Sequence, residues 1–100
     1  MKKIYITVTG TNMRYGTDFL EKGMNVLLVK EPDNKWDQEA IKVMVEGLDM
    51  IGYVANSPKT VTYGNYSAGR IYDKIKDETL ARIEHVLHDR VICSVDVKGS

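Results

Sequence analysis

The sequence predicts a mostly β, α+β domain: about six short strands and two short helices that close, or nearly close, into a small barrel. Three observations carry this. Apolar and polar residues alternate with a period of two over residues 3–9, 41–46 and 90–97. Short clusters of Gly, Pro, Asn and Asp separate these runs from one another. The chain has 100 residues, 43% of them hydrophobic, which is enough for one small core and not for two. A sheet this size has too little other structure to cover its edges, and closure removes them.

The elements follow in order. Over residues 3–9, Ile4, Ile6 and Val8 point one way and Tyr5, Thr7 and Thr9 the other. Gly10 ends that strand, and a helical turn capped by Thr17 can cover residues 17–21. After Gly23, residues 24–30 form the second strand, apolar enough (Val26, Leu27, Leu28, Val29) to predict cover on both faces. Pro32, Asp33 and Asn34 make a rigid polar loop. Residues 41–46 form the third strand with Ile41, Val43 and Val45 inward, and a tight turn at 47–49 leads into the fourth over 50–55. Asn56 or Ser57 can cap a short helix with Pro58 in its first turn. Residues 63–66 read as a flexible loop or flap. Ser67 starts a second helix to about Lys76, with an apolar stripe of Ala68, Ile71, Tyr72 and Ile75. Strands over 79–87 and 90–97 complete the chain, the last with Val91, Cys93, Val95 and Val97 on one face. No repeat, linker or low-complexity segment interrupts residues 1–100, which read as one domain.

Composition excludes several classes. Basic and acidic residues balance at 14 each, so the protein does not coat nucleic acid by bulk charge, although a local site remains open. One cysteine, Cys93, rules out a disulfide framework and fits a reducing, cytoplasmic setting. Residues 4–9 alternate and do not form a signal-peptide core, and no run reaches membrane-spanning length. His85 and His88 are three apart on or near a strand and diverge, and Cys93 falls among core valines, so no metal site is expected. No cofactor motif and no catalytic set of nucleophile and oriented base is found.

The most informative stretch is 29–53. Here Glu31-Pro32-Asp33-Asn34, then Trp36-Asp37, then Ala40-Ile41 and Val43, are followed by Ile51-Gly52-Tyr53-Val54. This pattern resembles the signature of HIRAN domains, small modules found at the N-terminus of some SNF2-type DNA helicases and also alone in bacteria. The likeness begins near Ile4 and fades after Val54. It implies an OB-like or SH3-like barrel. It also implies a non-enzymatic module that takes the 3′ end of single-stranded DNA into a groove between two loops, in a DNA-repair setting. Carried over position by position, Arg14 and Tyr15 match an arginine and aromatic of the first loop. Trp36 replaces the usual tyrosine and loses its hydroxyl. Asp37 is the motif aspartate that would accept from the terminal hydroxyl. Tyr53 matches a flanking aromatic. A basic residue just past the fourth strand has no clean match: Asn56 and Ser57 occupy its place, and Lys59 lies nearby.

Physical chemistry supports those roles. An aromatic ring stacks on any base, and an arginine forks around a phosphate. A carboxylate aimed at a polyanion makes sense only against a neutral hydroxyl. A structural alternative stays open: Trp36 packed under its loop as a lid, Asp37 bonded to the amides near Glu39 and Ala40, and Arg14 paired with Asp37 or Asp33. So does a second function, a protein-interaction adaptor that keeps the barrel and docks on a helicase or nuclease.

Overall fold

The alternation at the N-terminus is realised: Ile4, Ile6 and Val8 are buried on strand β1 (Lys2–Thr9). The computed structural model describes residues 2–11 and 17–97. Among these, β1 is joined by β2 (Asn25–Lys30), β3 (Ile41–Met44), β4 (Met50–Val54), β5 (Glu78–Val86) and β6 (Val91–Val97). All neighbours are antiparallel and close in the order β1-β4-β3-β2-β5-β6. Inward residues come from every strand, including Leu28, Ile41, Val43, Ile51, Ile83, Val91 and Cys93. No helix among the described residues is long and apolar enough to cross a membrane.

Only one end of the β1–β4 seam is paired by strand. The register joins Val8 to Val54 and Thr9 to Tyr53, and Ala55 N–H extends it by donating to the Thr7 carbonyl at 2.7 Å. Below that point the edge of β1 is covered by residues 62–66. Thr62 N–H and the Asn65 side-chain amide both donate to the buried Thr7 hydroxyl, at 3.0 and 2.7 Å. Tyr66 N–H donates to the Tyr5 carbonyl at 2.8 Å, and Tyr66 bridges Ile6 in parallel. Helix α1 (Ala68–Ile71) follows, with Ser67 as its N-cap, and a 3₁₀ turn over Tyr72–Lys74 prolongs it. Ala68, Ile71 and Ile75 are buried against the barrel, the stripe that the sequence spacing predicts.

Three expectations are corrected. The second strand is covered on one face only: Val26 and Leu28 are buried, while Leu27 and Val29 are half-buried outside. Closure makes one face of every strand an outer wall, and Leu27 lies there beside Leu80, its register partner. The segment after Asn56 is a turn and not a helix. Ser57 does cap it, its carbonyl accepting from Thr60 and Val61 N–H, both at 2.9 Å, and its hydroxyl from Lys59 N–H at 3.2 Å. The β-branched run Thr60-Val61-Thr62 and Gly64 then stop propagation. Residues 63–66 are no free flap either, since Thr7 ties them to β1.

Gly52 marks where β4 crosses tightest against β1. A Cβ there would strike the Thr9 carbonyl oxygen and come within 3.2 Å of Val8 Cγ1. Gly52→Ala should therefore cost about 1–3 kcal/mol, read as a lower denaturant midpoint at unchanged m-value. The Cys93 thiol is buried, and desolvation first, then the charge of Glu84, pushes it up to about 12. Native protein should resist alkylation at mildly alkaline pH while denatured protein reacts, checked by mass. An unfolded cysteine ionises near pH ~8.5. Stability from this group is thus complete below that pH and is lost as pH rises towards the native value.

Candidate nucleic-acid interface

The loop between β2 and β3 is built by its own side chains. Glu31 N–H donates to the Ala40 carbonyl at 2.8 Å, closing the loop at its base. Inside it, the Asn34 side-chain oxygen accepts from the backbone N–H groups of Trp36 and Asp37, at 2.9 and 3.0 Å. That is the amide-to-backbone turn an Asx residue favours. The Asn34 amide donates to Glu31 Oε1 at 3.1 Å, and the Tyr53 hydroxyl donates to the same oxygen at 2.8 Å. Lys42 Nζ stands 3.8 Å from the other Glu31 oxygen. Glu31 thus fastens the loop to β3 and β4.

Asp37 is held at both oxygens. Oδ1 accepts from Glu39 N–H at 2.8 Å, and Oδ2 accepts from the Asn56 side-chain amide at 2.9 Å. The Asn56 oxygen accepts from Gly69 N–H at 2.7 Å, so one asparagine links the acid to the start of α1. Gly69 has to be small. A Cβ would lie 2.7 Å from Glu39 Oε1 and 3.1 Å from Asn56 Oδ1.

These elements enclose an open groove of about 630 Å³, whose wall includes Thr9, Trp36, Asp37, Tyr53, Asn56 and Thr60. It sits over the paired end of the β1–β4 seam, where Thr9 faces Tyr53. Trp36 is not packed beneath its loop: the indole is 93% exposed at the rim. The lid alternative is thereby overturned for Trp36. Asp37 bonds to the Glu39 amide, as the structural alternative has it, and also lines the groove. A carboxylate oxygen can accept more than one hydrogen bond.

Of the residues the sequence singles out, Trp36, Asp37 and Tyr53 meet in this groove. Lys59 is exposed on the turn between Ser57 and Thr60, both of which line it. Arg14 and Tyr15 lie outside the described residues. Loss of the helix at Ser57 removes the possibility of a phosphate on that helix's N-terminus, since a single turn has no dipole to offer. Sequence reading missed the true work of Asn56. Its signal was visible, a side-chain amide directly after an apolar strand, but it pointed equally well to a cap. His85 and His88 are exposed while Cys93 is buried, so the three do not converge.

Comparison with known proteins places this geometry. Nothing among curated proteins matches the chain. The chain is similar to the solved crystal structure of the HIRAN domain of human HLTF, with a TM-score of 0.66 at 16% identity, over 95% of this chain and 74% of that one. Identity that low speaks for the fold alone. The HIRAN domain family model matches residues 1–96. A match across almost the entire length, on a barrel with the same architecture, settles the family: this chain belongs to the HIRAN domain family.

Proposed function

We propose that this protein is a nucleic-acid-binding module whose groove receives the free 3′ end of a single DNA strand. Family membership supports nucleic-acid binding in general. The observation that carries the finer reading is the pairing of a 93% exposed indole with a carboxylate anchored at both oxygens on the same wall. An exposed tryptophan forgoes roughly the 1.5–3 kcal/mol that burying a large apolar side chain returns. Stacking a terminal base on it recovers part of that. The groove wall among the described residues carries Asp37 and no cation, which suits an uncharged, hydroxyl-bearing terminus. The polarity, 3′ over 5′, follows the resemblance to HIRAN domains. Lys59 beside the groove, with Arg14 and Tyr15 on the first loop, would meet the adjoining phosphate and base.

A second reading has an observation of its own. Leu27, Met44, Leu48 and Leu80 line an apolar hollow of about 540 Å³ on the outer wall, with Leu80 66% exposed. A partner protein docked there would make the domain an adaptor. Salt separates the two readings, because binding to a strand weakens steeply with ionic strength and apolar docking does not.

Polarisation titrations with labelled oligonucleotides test the groove. Trp36→Ala should weaken binding by about 1–3 kcal/mol, roughly 5- to 150-fold. Equal affinity of the variant and the parent would remove the indole from the site. A 3′-phosphate facing Asp37 meets about 1–4 kcal/mol of repulsion, so 3′-phosphorylated strands should bind at least about fivefold more weakly than 3′-hydroxyl strands. Asn56→Ala frees one Asp37 oxygen and leaves Gly69 N–H without its acceptor. It should lower stability by about 1–3 kcal/mol and shrink the hydroxyl-over-phosphate preference, both measurable on one preparation.

A further inference from the structure

A strand bound by its end still carries a phosphate at each following nucleotide, and the described groove wall offers no cation to them. The chain as a whole is charge-balanced, so a track for the backbone has to arise by local segregation. One flank of the barrel has that segregation. Tyr66 lies along β1, and the Arg70 guanidinium stacks on its ring, 4.1 Å from the centroid. From the other end of β1, Lys2 Nζ donates to the phenol oxygen at 3.3 Å and stands 5.8 Å from the same centroid. Lys74, one turn beyond Arg70, completes the group. All three cations are exposed. Among the described residues no carboxylate forms an ion pair with any of them.

The field on this flank is positive. The Lys2 hydrogen bond and charge, aided by Arg70 and Lys74, hold the Tyr66 phenol below its ordinary value. On the other side of the same segment, burial first and then the charges of Asp77 and Asp73 raise Tyr72. That side is mixed in charge, since Lys30 Nζ also stands 4.7 Å from the centroid of the Tyr72 ring. The basic side is joined to the groove. Ala68 N–H donates to the Ala55 carbonyl at 2.9 Å, Gly69 N–H donates to Asn56, and Ala55 and Asn56 both line the groove. Along β1, Ile6, the bridge partner of Tyr66, is three residues from Thr9 at the groove, and Lys2 is seven, distances of about 10 and about 23 Å.

We propose that Lys2, Arg70 and Lys74, ordered around Tyr66, form a second contact for single-stranded nucleic acid: a phosphodiester track that takes the backbone leaving the groove. The proposal rests on the groove reading for its point of departure. An arginine held over an aromatic ring keeps the planar fork of donors that takes a phosphate in bidentate fashion.

The test is a salt series of polarisation titrations with 3′-hydroxyl oligonucleotides of about 4 and about 12 nucleotides, lengths that bracket the span of one OB-type barrel. The variant Lys2→Gln/Arg70→Gln/Lys74→Gln should bind the longer strand more weakly. Its slope of log affinity against log salt should be shallower by about 2, at about 0.7 for each phosphate contact on a single strand, while the shorter strand is little affected. Arg70→Lys keeps the charge and should keep the slope. An unchanged slope for the triple variant on the longer strand overturns the track, as does a slope lost in Arg70→Lys together with a fall in melting temperature. Trp36→Ala run alongside separates the two ideas. If it weakens both lengths while the triple variant changes nothing, the groove stands and the track falls. If it changes nothing while the triple variant flattens the slope, the track stands and the groove reading falls.

Discussion

The interaction on which the rest of the site depends is the double anchoring of Asp37. Its two oxygens take hydrogen bonds from separate parts of the chain, the Glu39 amide within its own loop and the Asn56 side chain at the end of β4. Through Asn56 the same connection reaches α1. One carboxylate thus fixes three elements relative to one another: the loop that carries Trp36, the strand end that floors the groove, and the helix that carries Arg70. Charge-assisted hydrogen bonds are roughly twice as strong as neutral ones. The arrangement therefore holds the rim without burying its most apolar side chain. Because the Trp36 backbone is separately pinned by Asn34, the indole is exposed yet presented from a fixed base. A ligand that stacks on it has little ordering left to pay for.

What the sequence disclosed depended on whether one physical rule governed a position. Ile4-Ile6-Val8, Ile41-Val43-Val45 and Val91-Cys93-Val95-Val97 alternate because each strand turns one face to the barrel interior, and all of these residues are buried, although Thr7, Ile92 and Ser94 on the opposite faces are buried too. The loop at 31–37 was legible because proline and two Asx residues leave little backbone freedom. Leu27 and Val29 misled, since four successive apolar residues read as cover on both faces. In the folded chain, Leu27 lies on the outer wall beside Leu80 and Val29 opposite Glu78 and Lys42, positions that period counting cannot distinguish from core. Ser57-Pro58 misled in another way. The cap chemistry was real, but propagation failed against Thr60, Val61 and Gly64 within one turn. Tertiary hydrogen bonds such as those of Asn56 have no sequence period at all, and that part of the site was illegible for this reason.

The distribution of charge matters more here than its sum. A zero balance would ordinarily argue against a nucleic-acid partner, and for a protein that wraps a duplex it would do so correctly. A module that meets one strand needs only that its few cations avoid its acids. Among the described residues, Lys42 is placed against Glu31 and Arg90 against Asp89, and both pairs serve the scaffold. Among the described residues no carboxylate forms an ion pair with the cations around Tyr66.

The groove's position follows from how the barrel closes. β1 pairs with β6 along seven residues, from Lys2 to Val8, but with β4 through only two. A seam that short leaves most of one β1 edge to be satisfied by something else. Below, residues 62–66 do so, through the Thr7 hydroxyl and the Tyr5 carbonyl. Above, the paired end at Thr9 and Tyr53 lines the groove together with the β2–β3 loop. Gly52 lets β4 press against Thr9 at the crossing point, and β4 then runs on, paired to β1 through Tyr53, Val54 and Ala55, to deliver Asn56. The segment that repairs the lower seam is also the one that brings Tyr66 and then Arg70 alongside β1. Groove and basic flank are therefore two consequences of one short strand pairing, and a path from the first to the second exists because the same backbone edge borders both.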